Sequence, residues 1–197
     1  MKAKQFKELL LQSLEHERGG VKIYEKALEC ALDEDLKEEL ERYRNETEKH
    51  VAVLQNLFAQ LGLDAEEESP GRDVVRYLGA SLVKAMDRAL DDGKAEAAQL
   101  IACECVVLAE TKDHLDWDLI GEAAKKLTGA DGKAVKEAYA EIEDEEDEHL
   151  YHSKGWCREL WLDSLGLKAV LPPPEEKRHV RTAIGAARAE RARSKMR

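Results

Sequence analysis

Glutamate and histidine side chains stand where apolar residues are expected in three amphipathic stretches of this 197-residue chain. In the first stretch apolar residues recur every three, four or seven positions, but Glu17 stands between Leu14 and Val21. Two further stretches are interrupted in the same way, by Glu46, His50, Glu145, Glu146 and His149. Burying an unpaired carboxylate costs several kcal/mol. Carboxylates that face one another therefore need a compensating positive charge, and a divalent or trivalent metal ion is the simplest one.

The elements that must position these side chains are helices, since the apolar spacing is helical throughout and no segment is typical of a strand. The composition agrees, with only 4 prolines and 12 glycines and with 37% of residues charged. Helices are predicted over residues 4–31, 35–61, 73–92, 94–127 and 133–164. We expect an all-α fold, an antiparallel four-helix bundle with an additional helix in the connection between its two hairpins. The bundle is predicted to span residues 1–167 and a proline-started basic tail residues 168–197.

The numbering predicts that the acids and histidines share one level of this bundle, because residues equidistant from a hairpin turn lie at the same depth. Glu17 lies sixteen residues before the first turn, near residue 33, and His50 lies seventeen residues after it. Around the second turn, near residue 130, Glu146 and His149 are mirrored by residues 112–115. The candidates near that position are Glu110, Asp113 and His114, with Glu104 ranked below them because it lies further along the helix.

The spacing within each helix suits metal ligation, since residues three or four apart share a helix face. Glu146 and His149 can bind one metal ion or two adjacent ions, and Glu46 and His50 can do the same. One glutamate from each of two helices and a Glu-x-x-His pair from each of the other two is the ligand pattern of di-iron carboxylate bundles. The predicted metal ligands are Glu17, Glu46, His50, Glu110, His114, Glu145, Glu146 and His149, and Tyr24, Tyr43 and Asp113 are expected beside them, within hydrogen-bonding reach. No catalytic residue is predicted.

These motifs resemble the ferritin-like superfamily, in particular the rubrerythrin and bacterioferritin branch and the small stress-associated ferritin-like proteins. Glu17, followed seven residues later by Tyr24, resembles the first metal helix of that family. The segment Glu46–His50 resembles its second metal helix, and Glu146–His149 resembles its fourth. The resemblance covers residues 4–165.

The resemblance implies a protein that binds two iron ions, with manganese as the other candidate, and that reacts with dioxygen or peroxide in iron handling or oxidative stress. Ferroxidase or peroxidase-type oxidoreductase chemistry is implied, with Glu46 and either Glu145 or Glu146 as bridging carboxylates. The sequence departs from the family at Thr47, where a glutamate usually precedes the second-helix histidine by three residues, so Glu46 must substitute from the adjacent position. Rubrerythrin's Cys-rich electron-transfer domain is also absent from the sequence.

Charge and hydropathy limit the kinds of partner and the cellular location that we expect. The net charge is −11, so the acidic body is not expected to bind nucleic acid. No apolar run is long enough to span a membrane, and the start of the chain has no secretory signal, so a cytoplasmic location is expected. The four cysteines, which include no CxxC pair, are then expected to be free thiols. Trp117 is expected to serve in packing, and His16 is expected to be solvated.

The basic composition of the tail is compatible with a second function, which does not require a metal. Residues 177–197 contain eight Lys or Arg and one acid. This segment is expected either to be disordered or to dock on an acidic surface, which a neighbouring subunit of a homo-oligomer could provide. The alternative function is therefore a metal-free helical interaction or stress protein of the same fold, in which the acids form a hydrated seam and the tail docks.

Overall fold

The computed structural model describes residues 2–196, and all regular structure in that range is helical. The prediction of an all-α chain is confirmed. The helices are α1 (Ala3–Cys30), α2 (Glu34–Leu61), α3 (Pro70–Asp91), α4 (Ala95–Ala124), α5 (Gly129–Ser164), α6 (Pro174–Lys177) and α7 (Ala183–Ala192), with a final 3-10 turn over Arg193–Lys195. The first residue of the predicted bundle and the last residue of the predicted tail, Met1 and Arg197, lie outside the described range.

Local sequence signals set several helix ends. The Asp33 carboxylate accepts a hydrogen bond from the backbone of the first turn of α2, and Gly62 ends that helix in the left-handed conformation with φ 64°. Ser69 caps α3 in the same way as Asp33 caps α2, and Pro70 occupies the first helical position. As a result α3 begins three residues earlier than the apolar spacing predicts. Helix α5 begins at Gly129, also earlier than predicted.

Four helices pack in a ring, in which α1 contacts α2 and α4, and α5 contacts α2 and α4. Short connections join α1 to α2 and α4 to α5, so the helices of each hairpin run in opposite directions. Helix α3 packs outside this ring against α1 and α4. It runs parallel to α1, since Arg72 contacts Glu15 at one end and Asp87 contacts Lys26 at the other. Helix α3 therefore carries the chain from the end of α2 back to the start of α4.

The apolar core is divided in two along the bundle. One cluster includes Leu10, Leu54 and Trp117, and the other includes Ala27 and Val106. The polar positions that interrupt the apolar spacing lie between these clusters. A layer of buried acids and imidazoles is thereby shielded from water at both ends of the bundle.

The segment that follows α5 folds back onto α5 of the same chain. Glu175 pairs with Arg158, and Arg193 pairs with the fully buried Glu159. Pro174 begins α6, whereas the Leu-Pro-Pro-Pro sequence favours a purely extended segment. A proline is compatible with a first helical position because that residue needs no amide hydrogen. Within residues 2–196, none of the helices has both the length and the apolar character that crossing a membrane would require.

Candidate metal centre

The polar layer contains two groups of side chains that could each hold a metal ion. Glu17 of α1, His50 of α2 and Glu146 of α5 form the first group, and Glu110 of α4, His149 and again Glu146 form the second. In each group the potential ligand atoms lie within 4.8 Å of one another. All five residues are buried, with exposures of 0–4%. Glu146 belongs to both groups and therefore lies between them.

The inner atoms of these residues converge at short range. His50 Nδ1 lies 2.8 Å from Glu146 Oε1 and 3.5 Å from Glu17 Oε2. His149 Nδ1 lies 3.8 Å from the same Glu146 oxygen and 3.7 Å from Glu110 Oε2. The two imidazole rings are stacked, with centroids 5.6 Å apart.

These inner atoms make no hydrogen bond of regular geometry, although His50 Nδ1 and Glu146 Oε1 are close enough to form an ion pair when His50 is protonated. The unpartnered buried atoms of the layer are Glu17 Oε2, His50 Nδ1, Glu110 Oε2, both oxygens of Glu146, and His149 Nδ1. Buried polar atoms of folded proteins are nearly always satisfied, so an exception of this size needs an explanation. Carboxylate oxygens and imidazole nitrogens that point at one another supply the lone pairs that a cation binds, and the residues present fit one or two metal ions.

The outer nitrogen of each imidazole is held by a carboxylate from the opposite hairpin. His50 Nε2 lies 2.9 Å from Glu145 Oε2, and His149 Nε2 lies 2.8 Å from Glu46 Oε2. Such a contact fixes the orientation and the tautomer of a ligating histidine. Glu145 is held in turn by Lys49 at 2.9 Å.

Glu46 and Glu145 thus lie behind the imidazoles rather than between the two groups, where the resemblance implies bridging carboxylates. The reason is helix rotation, because adjacent residues point about 100° apart at 3.6 residues per turn. With Glu146 facing inward, Glu145 points to the side. With the buried Thr47 facing inward, Glu46 does the same.

The outer oxygens of the two remaining glutamates are held crosswise. Tyr24 of α1 donates its hydroxyl to Glu110 Oε1 of α4 at 2.7 Å. Trp117 of α4 donates its indole N–H to Glu17 Oε1 of α1 at 2.8 Å. The sequence interpretation of Trp117 as packing alone missed this contact. The available signal was its position seven residues after Glu110, the spacing that separates Tyr24 from Glu17.

The site therefore has an approximate twofold arrangement, in which each hairpin supplies the same parts. The matched pairs are Glu17 with Glu110, Tyr24 with Trp117, Glu46 with Glu145, and His50 with His149. The match fails at Glu146, whose counterpart is Thr47, and at Asp113, whose counterpart is Gly20. One carboxylate therefore lies between the two groups, where a fully symmetric site would have two.

The remaining predicted residues differ in their placement. Asp113 is buried beside the layer, and burial followed by the charge of Glu146 raises its pKa well above the ordinary value. Tyr43 packs its ring 4.2 Å, centroid to centroid, from the His149 ring. His114 lies outside both groups and is half-buried, with Nε2 2.8 Å from Asp147 Oδ1.

His114 misses the layer because it is rotated away from the inward face that Glu110, Asp113 and Trp117 share on α4. The lower-ranked candidate of this helix, Glu104, accepts a hydrogen bond from an indole at the surface. Helix α4 therefore contributes Glu110 to the two groups. His16, expected in solvent, instead lies against the Ala109 carbonyl at 3.0 Å, and burial lowers its pKa to about 4.

The profile of a protein family described as "Domain of unknown function (DUF892)" matches residues 2–111. The chain belongs to this family. The DUF892 match contains three residues of the two groups, Glu17, His50 and Glu110, whereas Glu146 and His149 lie beyond it on α5. No curated protein and no solved structure matches the chain.

Protons balance the buried charge of this DUF892 protein when no cation does. Burial raises the pKa of Glu110 to about 7, so this carboxyl is protonated in about half of the molecules at neutral pH. Burial alone would lower the pKa of His50, but Glu17, Glu145 and Glu146 outweigh it and raise the pKa well above its usual value. A cation that binds here must displace these protons, so metal affinity increases with pH.

Proposed function

We propose that this DUF892 chain is a ferritin-like di-metal carboxylate protein that acts in the cytoplasm. It binds two ions, iron in preference to manganese, and reacts with dioxygen or peroxide in iron handling or in defence against oxidative stress. The observation that carries the proposal is the pair of buried Glu–His groups that share Glu146. Their inner atoms converge without hydrogen bonds of regular geometry, and a pair of cations would satisfy them.

The donor set supports the choice of metal. Three carboxylates and two imidazoles form a mostly oxygen set with a minority of nitrogen, which suits iron or manganese better than copper or zinc. No cysteine takes part in either group. Burial raises the pKa of the thiols of Cys30 and Cys105 to about 11, so these side chains stay protonated at neutral pH.

Each residue has a separate part in this proposal. Glu146 would bridge the two ions, Glu17 and Glu110 would each bind one ion, and His50 and His149 would supply one nitrogen apiece. Bound ferrous iron would supply the electrons for the reduction of dioxygen or peroxide. The chain itself holds the ligands in place and keeps bulk water out, since apolar clusters close the layer on both sides.

Anaerobic titration with ferrous iron, followed by admission of air, tests the proposal. We expect about two ions per chain and oxidation of the bound iron once air enters. Glu146→Ala should abolish the binding of both ions, because both groups lose a ligand, whereas His149→Ala should weaken one ion more than the other. Glu137→Gln, an exposed acid on the same helix, is the matched control and should bind iron normally. Failure of the wild-type protein to bind iron or manganese would reject the proposal.

The alternative is a metal-free interaction protein, and the observation in its favour is Thr47, which leaves the layer with one shared carboxylate. In that case protons on His50 and Glu110, rather than cations, would offset part of the buried charge. The expected docking element, the basic tail, has two of its arginines engaged by acids of α5. Assembly into a homo-oligomer through the tail stays a prediction. Deletion of residues 172–197 followed by measurement of the oligomeric state tests it.

A further inference from the structure

The outer face of α3 is exposed although several of its side chains are large and apolar. Only three of the 22 residues of α3 are buried, and they lie on the side that packs against α1 and α4. On the outer side Val74, Tyr77 and Leu78 are 57%, 71% and 49% exposed. A helix of a globular protein normally directs its apolar side chains to the core and its polar ones to solvent. This face therefore has the composition of one that packs against a further protein surface.

The exposed apolar strip of α3 continues onto α4. The thiol of Cys105 lies 3.7 Å from the Leu82 carbonyl oxygen, which fixes the relative depth of these two antiparallel helices. Leu78 and Leu108 each lie one turn from this contact in the same direction, so they are neighbours across the two helices. Leu108 is 61% exposed, and Leu115, two turns further along α4, is 54% exposed. These five side chains form the α3–α4 patch, and contiguous exposed apolar surface of this kind marks an interaction site.

The charge of α3 differs from that of the rest of the molecule. The chain has a net charge of −11, whereas α3 contains four Lys or Arg and three Asp. The exposed Lys84 forms no ion pair with any of residues 2–196. Two copies of so acidic a chain repel each other over most of their surface. A face that is apolar and slightly basic is therefore the place at which two copies can meet.

We propose that a second copy of this chain binds the α3–α4 patch and forms a twofold-symmetric dimer, in which the two α3 helices run antiparallel. In such an interface, if one residue faces another, the reverse pair forms as well. Asp73 and Lys84 lie three turns apart along the same outer face of α3. An axis midway between them places Asp73 of each copy opposite Lys84 of the other. Tyr77 then faces the small Ala80 of the second copy.

The same axis passes close to Leu108. The midpoint between Asp73 and Lys84 lies at Leu78, and Leu108 is the neighbour of Leu78 on α4. Leu108 of one copy therefore meets Leu108 of the other, and the two side chains shield each other from water. The charged pairs lie further out, where they set the register of the two helices.

The size of the face fits a stable dimer. A helix of 22 residues is about 33 Å long, and two adjacent helices are about 20 Å wide, so α3 and α4 together present roughly 700 Å². A stable interface of standard size needs about 800 Å² per partner. Helix α3 alone would present about half of this area, so the second copy covers both helices. The inference does not rest on the proposed function, because none of the residues of the two Glu–His groups lies on α3.

Sedimentation equilibrium of the metal-free 197-residue chain tests the proposal. The wild type should have twice the mass of one chain. Leu108→Asp brings two like charges together on the axis and should weaken the dimer about a hundredfold or more. Ile184→Asp, a similarly exposed apolar residue of the C-terminal segment, is the matched control and should remain dimeric. Circular dichroism checks that both variants fold, and Tyr77→Glu replaces Leu108→Asp if that variant does not.

Two outcomes of this experiment would overturn the proposal. One is a wild type that remains monomeric at every concentration. The other is a Leu108→Asp variant that dimerises as tightly as the wild type. Dissociation by Ile184→Asp alone would assign the interface to the C-terminal segment and reject the α3–α4 patch.

An exchange of charges tests the antiparallel register. Lys84→Asp brings two aspartates together and Asp73→Lys brings two lysines together, each twice by symmetry, so each should weaken the dimer roughly tenfold. The double variant restores opposite charges and should recover most of the wild-type affinity. Single variants that bind as the wild type does, or a double variant that recovers nothing, would contradict the antiparallel pairing of the two α3 helices.

Discussion

Apart from Glu146, each residue of the two groups has one atom directed inward and another held by a partner on a different helix. Glu110 is held by Tyr24, Glu17 by Trp117, and His149 by Glu46. Because these contacts fix the side-chain torsions before any cation arrives, less conformational freedom is lost on binding. Burial and the charge of Glu110 raise the pKa of Tyr24 well above its ordinary value, so its hydroxyl keeps its proton and remains a donor.

Replacing Tyr24 with phenylalanine tests this arrangement with a single missing oxygen. Partners that orient metal ligands typically contribute ten- to a hundredfold to affinity, and we expect Tyr24→Phe to weaken ferrous-ion binding about tenfold. The measurement is anaerobic titration followed by competition with a chelator. Tyr139→Phe, two helical turns before Glu146 on α5 and outside both groups, should bind as the wild type does. Unchanged affinity in Tyr24→Phe would mean that packing alone orients Glu110.

The depth of the site along the bundle follows from the sequence, but the rotation of each helix about its own axis does not. Counting from the hairpin turns brings Glu17, His50 and His149 to the depth at which the structure groups them. Counting cannot decide between neighbours such as Glu145 and Glu146, because both lie at the same depth and only packing determines which one faces inward. The contact of Trp117 with Glu17 joins residues a hundred positions apart, and the sequence indicates it only through the spacing of seven that Trp117 and Glu110 share with Tyr24 and Glu17.

At the scale of elements, a buried arginine fixes the connection between α2 and α3. The Arg72 side chain is 1% exposed and donates to Glu15 of α1 at 2.7 Å. It also donates to the backbone carbonyls of Ala65 and Glu67, at 2.7 and 3.1 Å. The connection, whose run of acids followed by Ser-Pro-Gly indicates a linker, is thereby held against the bundle. The sequence gives no signal for this because the partners come from separate elements.

We expect Arg72→Ala to lower the free energy of unfolding by about 3 kcal/mol, because removing one partner of a buried ion pair leaves the other uncompensated. Arg76 retains contact with Glu15 and limits the loss. Urea denaturation measures the change. Arg88→Ala, an exposed arginine on the same helix, is the control, and a surface change of this kind should stay within about 0.5 kcal/mol. Equal effects of the two substitutions would contradict the role assigned to Arg72.

At the scale of the whole molecule, the C-terminal segment and the bundle form one packed unit. Val180 and Ala189 are buried, and Gly155 of α5 leaves the space that Pro173 and Glu175 occupy. A basic composition predicts an acidic target but not which acids, and here the target includes Glu148 and Glu159 of the preceding helix. Because Glu148 also pairs with Arg42, which holds Glu46, the segment connects to the surroundings of His149.

The attachment of this segment should depend on pH through Glu176, which accepts a hydrogen bond from the Trp156 indole. Burial, followed by the charge of Glu39, raises the pKa of Glu176 from 4.5 to about 7. The folded protein therefore keeps this proton while the unfolded chain releases it, and the free energy of unfolding falls as the pH rises from 4.5 to about 7. Glutamine has no proton to lose, so Glu176→Gln should match the wild type at the acidic end. At neutral pH it should be more stable by about 1–2 kcal/mol, a value reduced for partial solvent screening. Denaturation across this pH range measures the difference, with the exposed Glu190→Gln as a control that should show no such trend. A constant offset between Glu176→Gln and the wild type at every pH would show that Glu176 is ionised in the folded protein.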